Sequence, residues 1–84
     1  MGNSFTFITS WLDILEPTLW KICKRENIRL THSQFNKLLL AGENYVREIG
    51  ILADSVEFED FYKFNNKCEN GLFHLVYKAK NNEL

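Results

Sequence analysis

The sequence contains few of the residues that break or cross-link a chain. Its 84 residues include one proline, four glycines and two cysteines. The glycines are scattered and form no phosphate-binding loop. Cys23 and Cys68 lie far apart and outside any C-x-x-C pattern, which argues against a disulfide scaffold and a zinc knuckle. Because no signal-peptide pattern precedes them, we expect two core thiols in a reduced, cytoplasmic protein.

Neither sign of charge dominates the chain, and no long apolar run occurs. Ten basic and eleven acidic residues leave a net charge of -1, whereas proteins that grip a nucleic-acid backbone are usually more basic. The longest apolar run, Leu38–Ala41, is too short to cross a membrane. The first six residues fit the loose N-myristoylation pattern at Gly2, but no polybasic second signal follows. We therefore expect no membrane span, and lipidation of Gly2 stays open.

The remaining composition is that of one packed domain. Hydrophobic residues make up 45% of the chain and aromatic residues 14%, which predicts a single small globular domain over residues 1–84. We find no nucleophile beside a base, no H-E-x-x-H and no G-x-S-x-G. The sequence therefore predicts neither an enzyme nor a site for a cofactor or metal.

The chain is organised around residues 31–54. Apolar residues recur there every three or four positions, which is the pattern of one long amphipathic helix: Phe35, Leu38, Gly42, Tyr45, Ile49 and Leu52. Thr31 and Gln34 have the spacing of a capping box. We predict a helix over residues 32–53.

Residues 5–27 repeat the same helical period, with Pro17 in the middle. Proline removes one helical hydrogen bond, so we expect either a kinked helix or two short helices meeting at Glu16–Pro17. About four residues connect this segment to the central helix. The two should therefore fold back as an antiparallel helical hairpin.

Residues 61–80 favour a β-hairpin. Asn70-Gly71 is a strong two-residue hairpin signal. Folding there places mostly apolar residues in cross-strand pairs: Cys68 with Phe73, Asn66 with Leu75, Phe64 with Tyr77, and Tyr62 with Ala79. The opposite face carries lysines. A helical interpretation stays open, because Leu72, Leu75, Val76 and Ala79 also fit a helix.

Two features point to a macromolecular partner. Leu40 and Ile51 lie about 140–160° from the middle of the apolar stripe of the central helix. Either another segment covers them, or they form a contact face with Asn44 and Arg47. The acidic segment 54–60 is a solvated connector or a second docking surface, with three candidate contact residues: Glu57, Glu59 and Asp60.

A nucleic-acid interpretation also stays open. Residues 30–49 resemble a helix-turn-helix of the phage-repressor type, with Thr31 near its start, Ala41-Gly42 as its turn, and four apolar positions at Phe35, Leu39, Val46 and Ile49. An unbroken helical period through Gly42 is the competing interpretation. Three helices followed by a basic hairpin would resemble a winged helix, in which His74 and five cationic residues face phosphates: Arg47, Lys63, Lys67, Lys78 and Lys80.

The sequence thus predicts an α+β fold in which an antiparallel helical hairpin packs against a C-terminal two-stranded β-hairpin. An all-α four-helix arrangement is the alternative. The expected function is stoichiometric, non-enzymatic binding of a macromolecule, as an inhibitor, an immunity- or antitoxin-like protein, or an adaptor. A homodimer is possible, and either the Leu40/Ile51 face, the acidic segment or a hairpin edge would make the contact. The alternative function is nucleic-acid-binding regulation. A composition rich in Asn, Lys and Phe would suit a phage or plasmid accessory gene.

Overall fold

The structure, a computed structural model, describes residues 3–53 and 61–84, with side chains over 7–53 and 62–84. This part of the chain forms three helices: α1 (Asn3–Arg25), α2 (His32–Ala53) and α3 (Phe61–Lys80). The predicted bounds of the central helix are confirmed. The first helix runs unbroken through Pro17, so two short helices meeting there are excluded.

The middle helix, α2, packs against both of the others. An added Cβ at Gly50 would lie 2.8 Å from the Cδ1 atom of Ile8 near the start of α1, and one at Gly42 would lie 3.3 Å from Leu15. Since later residues of α2 meet earlier residues of α1, these two helices are antiparallel, as predicted. The same added Cβ at Gly42 would lie 3.4 Å from the Cδ2 atom of Leu72 in α3.

Packing between the three helices buries an apolar core. In the described part of the chain the buried residues are all apolar, and the largest fully buried side chains are Phe7, Leu15, Leu19, Leu38, Leu72, Val46 and Val76. The helices contribute to this core through stripes of period 3.6. Trp11 adds a polar link, because its indole N–H donates a hydrogen bond of 2.8 Å to Asn65 of α3.

The predicted capping box at the start of α2 is confirmed. The Thr31 N–H donates to Gln34 Oε1 at 2.8 Å, and the Gln34 N–H donates to Thr31 Oγ1 at 3.1 Å. Gln34 Nε2 also donates to Asn82 Oδ1 at 3.0 Å. One glutamine therefore caps α2 and ties it to the segment that follows α3.

Asparagine terminates α1 in a Schellman motif. Asn27 has a φ of 56°, which places it in the left-handed region that asparagine tolerates better than most residues. The Ile28 N–H donates to the Cys23 carbonyl at 2.8 Å, and the Asn27 N–H donates to the Lys24 carbonyl at 3.2 Å. These bonds satisfy the last carbonyls of α1 and turn the chain toward α2.

The predicted β-hairpin is wrong, and with it the α+β fold class. Residues 61–80 form the continuous helix α3, and Asn70-Gly71 lies inside it. The buried residues Cys68, Leu72, Val76 and Ala79 repeat every three or four positions. They fill the groove between the apolar stripes of α1 and α2, so tertiary packing over twenty residues prevails over a two-residue turn signal. The all-α class of the alternative is confirmed for the described residues, but its four helices are not, because these residues form three.

Both cysteines are buried in the core, as predicted, and neither forms a disulfide. Burial raises the pKa of the Cys68 thiol from 9.0 to about 12, with a smaller contribution from the Glu69 carboxylate. Burial also raises the pKa of Cys23. The thiolate forms are disfavoured inside the bundle, so these thiols are unreactive while the fold is intact.

The contact between Tyr45 and Gly71 generates a stability prediction. An added Cβ at Gly71 would overlap the Tyr45 ring, whose hydroxyl donates to the Lys67 carbonyl at 3.1 Å. We expect Gly71→Ala to destabilise the protein by about 1–3 kcal/mol through overpacking. In a Tyr45→Ala background the clash is gone, and Gly71→Ala should instead stabilise the helix by up to about 1 kcal/mol. Urea unfolding of the four proteins measures both effects. The same destabilisation in both backgrounds would show that Tyr45 is not the cause.

The raised pKa of Cys68 generates a pH prediction. Above pH 9, the ordinary pKa of the thiol, the unfolded chain loses a proton that the folded chain keeps. The contribution of the Cys68 thiol to the free energy of unfolding should therefore be fully present below pH 9. It should fall as the pH rises toward 12, by at most about 1.4 kcal/mol per pH unit. Urea unfolding between pH 7 and pH 11 should show a shallower decline for Cys68→Ala than for the natural chain. Parallel curves would contradict the assignment.

Candidate functional site

The outer face of α2 carries the residues that the sequence singled out for partner contact. Leu40 is 62% exposed and Ile51 66% exposed, and Asn44 and Arg47 between them are also exposed. The four residues form one stripe along the helix, on the side opposite the buried Leu38, Gly42 and Ile49. Leu40 and Ile51 were expected either to be covered by another segment or to be exposed, and the structure shows that they are exposed.

An apolar depression lies at the Leu40 end of this stripe. It has a volume of about 340 Å³ and is lined by Lys37, Leu40, Ala41, Asn44 and Leu84. Its floor is the α2 helix, and the C-terminal leucine forms one wall. The depression could accept a single aliphatic side chain from a partner.

The other predicted contact surfaces are not found in the described structure. Glu57, Glu59 and Asp60 lie in segment 54–60, outside the described residues. The hairpin edge does not exist, because residues 61–80 are helical. The α2 outer face is therefore the predicted partner surface that the structure describes.

The proposed nucleic-acid residues divide between faces. Lys63, Lys67 and Lys78 are exposed on the outer side of α3, where their spacing places them with His74 in one stripe about 22 Å long. Lys80 projects from a different side, with its Nζ atom 5.8 Å from the centre of the Tyr77 ring, and Arg47 belongs to α2. The continuous helix α2 has no break at Ala41-Gly42, so the helix-turn-helix and winged-helix arrangements are absent from the described residues.

A polar groove between α1 and α3 was not predicted from the sequence. It has a volume of about 420 Å³, and its lining includes Lys21, Arg25, Glu69 and Phe73. The Arg25 guanidinium lies 5.8 Å from the centre of the Phe73 ring. Lys21 and Arg25 belong to the first predicted helix, and Glu69 and Phe73 to the predicted hairpin, so nothing in the sequence analysis brought them together.

A separate hydrogen bond joins α3 to the segment after α1. The Tyr77 hydroxyl donates to Glu26 Oε1 at 2.9 Å, and this bond raises the pKa of the Tyr77 phenol. Glu26 also forms an ion pair of 3.1 Å with Arg25. The Tyr77–Glu26 bond therefore ties α3 to the segment that follows α1.

Sequence reasoning also missed the participation of Lys37, Ala41 and Leu84 in the α2 surface. Lys37 could have been found, because it continues the spacing of Leu40, Asn44, Arg47 and Ile51. Ala41 could have been found because it lies one helical turn after Lys37. Leu84 could not, since its position depends on how the chain turns after α3.

The comparisons with known proteins found no relative whose function could be compared with these surfaces. In residues 3–53 and 61–84, no helix is both long and apolar enough to cross a membrane. The same residues contain no group of three or more potential metal ligands. No protein-family model matches the chain, and no match was found among curated proteins or solved structures.

Proposed function

We propose that this chain is a small non-enzymatic binding module that acts stoichiometrically on another macromolecule through the outer face of α2. It would function as an inhibitor, an immunity- or antitoxin-like protein, or an adaptor. The observation that supports this proposal is the exposure of Leu40 and Ile51, at 62% and 66%, on a helix whose opposite face is the core.

The energetics of the α2 face favour a contact surface. Fully burying a leucine or isoleucine side chain gains about 1.5–3 kcal/mol relative to leaving it in water. The two aliphatic side chains enclose Asn44 and Arg47, and arginine is enriched at interfaces because it adds hydrogen bonds as well as apolar area. The depression beside Leu40 supplies a concave position for an anchoring side chain.

The non-enzymatic part of the proposal is supported by the α1–α3 groove. Its lining places Lys21 and Arg25 near Glu69, but contains neither histidine nor cysteine. The two thiols of the chain are buried, where burial raises their pKa, so neither is an activated nucleophile. Unpaired core thiols also support a reduced, cytoplasmic setting.

We expect Leu40→Asp combined with Ile51→Asp to abolish capture of the partner protein. Two carboxylates in the contact centre cannot be desolvated without a large cost. The measurement is affinity capture from an extract of the native host, with quantification of the proteins that the natural chain retains. Ile14→Asp is the matched control, because Ile14 is 48% exposed on α1 and lies outside the proposed face.

Circular dichroism and urea unfolding must show that both variants keep the helical fold. Retention of the same proteins by the natural chain and by the folded α2 variant would contradict the proposal. Equal loss from the Ile14 and α2 variants would indicate a nonspecific apolar effect and would also contradict it.

A second candidate function, binding of a nucleic-acid backbone, is supported by the outer stripe of α3. Lys63, Lys67, His74 and Lys78 are exposed there, and the acidic Glu69 of the same helix points instead toward the α1–α3 groove. Aligned lysines contact phosphates without reading bases, so the binding would be independent of sequence and sensitive to salt.

We expect this second function to appear in fluorescence anisotropy with mixed-sequence DNA and RNA. Three phosphate contacts would reduce the affinity roughly 20- to 50-fold between about 50 and 200 mM salt. The double variant Lys63→Glu and Lys67→Glu should abolish binding, whereas Lys80→Glu, outside the stripe, should have a smaller effect. Absence of binding at the lower salt concentration would exclude the candidate.

A further inference from the structure

We propose that the occupant of the α2 outer face is a second copy of this chain, packed antiparallel along α2. The inference rests on the proposed contact face and narrows its occupant from another macromolecule to a second copy of this chain. It follows from three properties of that face: its spacing, its order of residues about one midpoint, and the shape of the depression beside Leu40.

The spacing of the face is that of a two-helix seam. Lys37, Leu40, Asn44, Arg47 and Ile51 step by 3, 4, 3 and 4, as positions a and d of a heptad do, and two of the five, Leu40 and Ile51, are apolar. The seam is about 21 Å long at 1.5 Å per residue. In the described structure it faces outward, because Leu38, Gly42 and Ile49 hold the other side of α2 in the core.

From Leu40 to Ile51 the seam is apolar, polar, polar and apolar when read from either end, whereas Lys37 has no counterpart within it. The point midway between Tyr45 and Val46 is equidistant from Leu40 and Ile51, and also from Asn44 and Arg47. A twofold axis through that point places Leu40 of one copy against Ile51 of the other, and Asn44 against Arg47. Such self-complementary pairing is what an isologous dimer requires.

The depression beside Leu40 has the outline of a coiled-coil hole. Its four α2 residues, Lys37, Leu40, Ala41 and Asn44, have the i, i+3, i+4 and i+7 spacing that receives one knob from a facing helix. Under the twofold axis that knob is Ile51 of the second copy. Leu84 extends the wall and would increase the apolar area that the knob buries.

Charge favours the antiparallel orientation over the parallel one, although the two Arg47 residues still lie about 4.5 Å apart along the axis in the antiparallel pair. In a parallel pair each seam residue meets its own copy, so the two Arg47 guanidinium groups would face each other, which is unfavourable. In the antiparallel pair Arg47 lies opposite Asn44, whose amide oxygen can accept from it. Glu43 of the second copy precedes Asn44 by one residue, so it also lies near Arg47. Arginine therefore meets an acceptor and a carboxylate on either side of the axis.

Disulfide trapping tests the register directly. Chains carrying Leu40→Cys or Ile51→Cys are purified separately and oxidised mildly, alone and as a mixture. Residues 40 and 51 of different copies lie at the same level, whereas two copies of residue 40 are about 16 Å apart along the axis, too far for a disulfide. We expect a cross-linked dimer in the mixture and little in either chain alone; the buried Cys23 and Cys68 should not react. Equal cross-linking of Leu40→Cys alone, or none in the mixture, overturns the proposal.

Analytical ultracentrifugation with charge variants tests the orientation. The natural chain should sediment with a mass of about twice 9.9 kDa at high protein concentration. Arg47→Glu should weaken the dimer at least tenfold, and adding Glu43→Arg should restore it, because the cross-axis pair is then reversed but complete. Ile14→Asp, outside the seam, should leave it unchanged. Failure of the double variant to recover overturns the proposed pairing.

Failure of the dimer is distinguishable from failure of the contact face. A natural chain that stays monomeric at every concentration overturns the dimer. If Leu40→Asp with Ile51→Asp nevertheless removes a captured host protein, the face itself is retained as a binding surface. If neither association nor capture depends on these residues, both proposals fail together.

Discussion

The close approach of α1 and α3 to α2 determines the rest of this structure. A Cβ at Gly50 would meet Ile8, and one at Gly42 would lie 3.3 Å from Leu15 and 3.4 Å from Leu72. Glycine lets the backbones come close enough for the larger apolar side chains on either side to interdigitate. Because both neighbours pack on the same half of α2, its other half is left facing outward, and the exposure of Leu40 and Ile51 is a direct consequence.

Polar bonds at the helix ends hold this arrangement in register. Gln34 caps α2 and also donates to Asn82 after α3, while Tyr77 of α3 donates to Glu26 after α1. Each bond joins elements that are distant in sequence, so it fixes how far one helix slides along the next. The outer face of α2 is therefore presented on a preformed helix, and binding would not have to supply the entropy of folding it.

The sequence was sufficient over α2, where the unbroken helical period prevailed over the helix-turn-helix alternative. The bounds of α2, the capping box at Thr31 and the orientation of Leu40 away from the core all followed from spacing. It failed over residues 61–80, where Cys68, Leu72, Val76 and Ala79 carry a helical period while Asn70-Gly71 favours a turn. The groove between α1 and α2 decides between them, and that groove exists only in three dimensions. Lys63, Lys67, Lys78 and His74 were expected on one face of a hairpin, and they share one face of the helix α3 instead.

The central claim is that two copies of this chain pair through the outer face of α2. The most direct measurement is a dilution series of ¹⁵N-labelled protein followed by two-dimensional NMR. The account predicts that the amide shifts that change with protein concentration are confined to residues 37–51 of α2 and the neighbouring Leu84. Changes centred instead on the lysine stripe of α3 or the α1–α3 groove, or shifts independent of concentration, would contradict it.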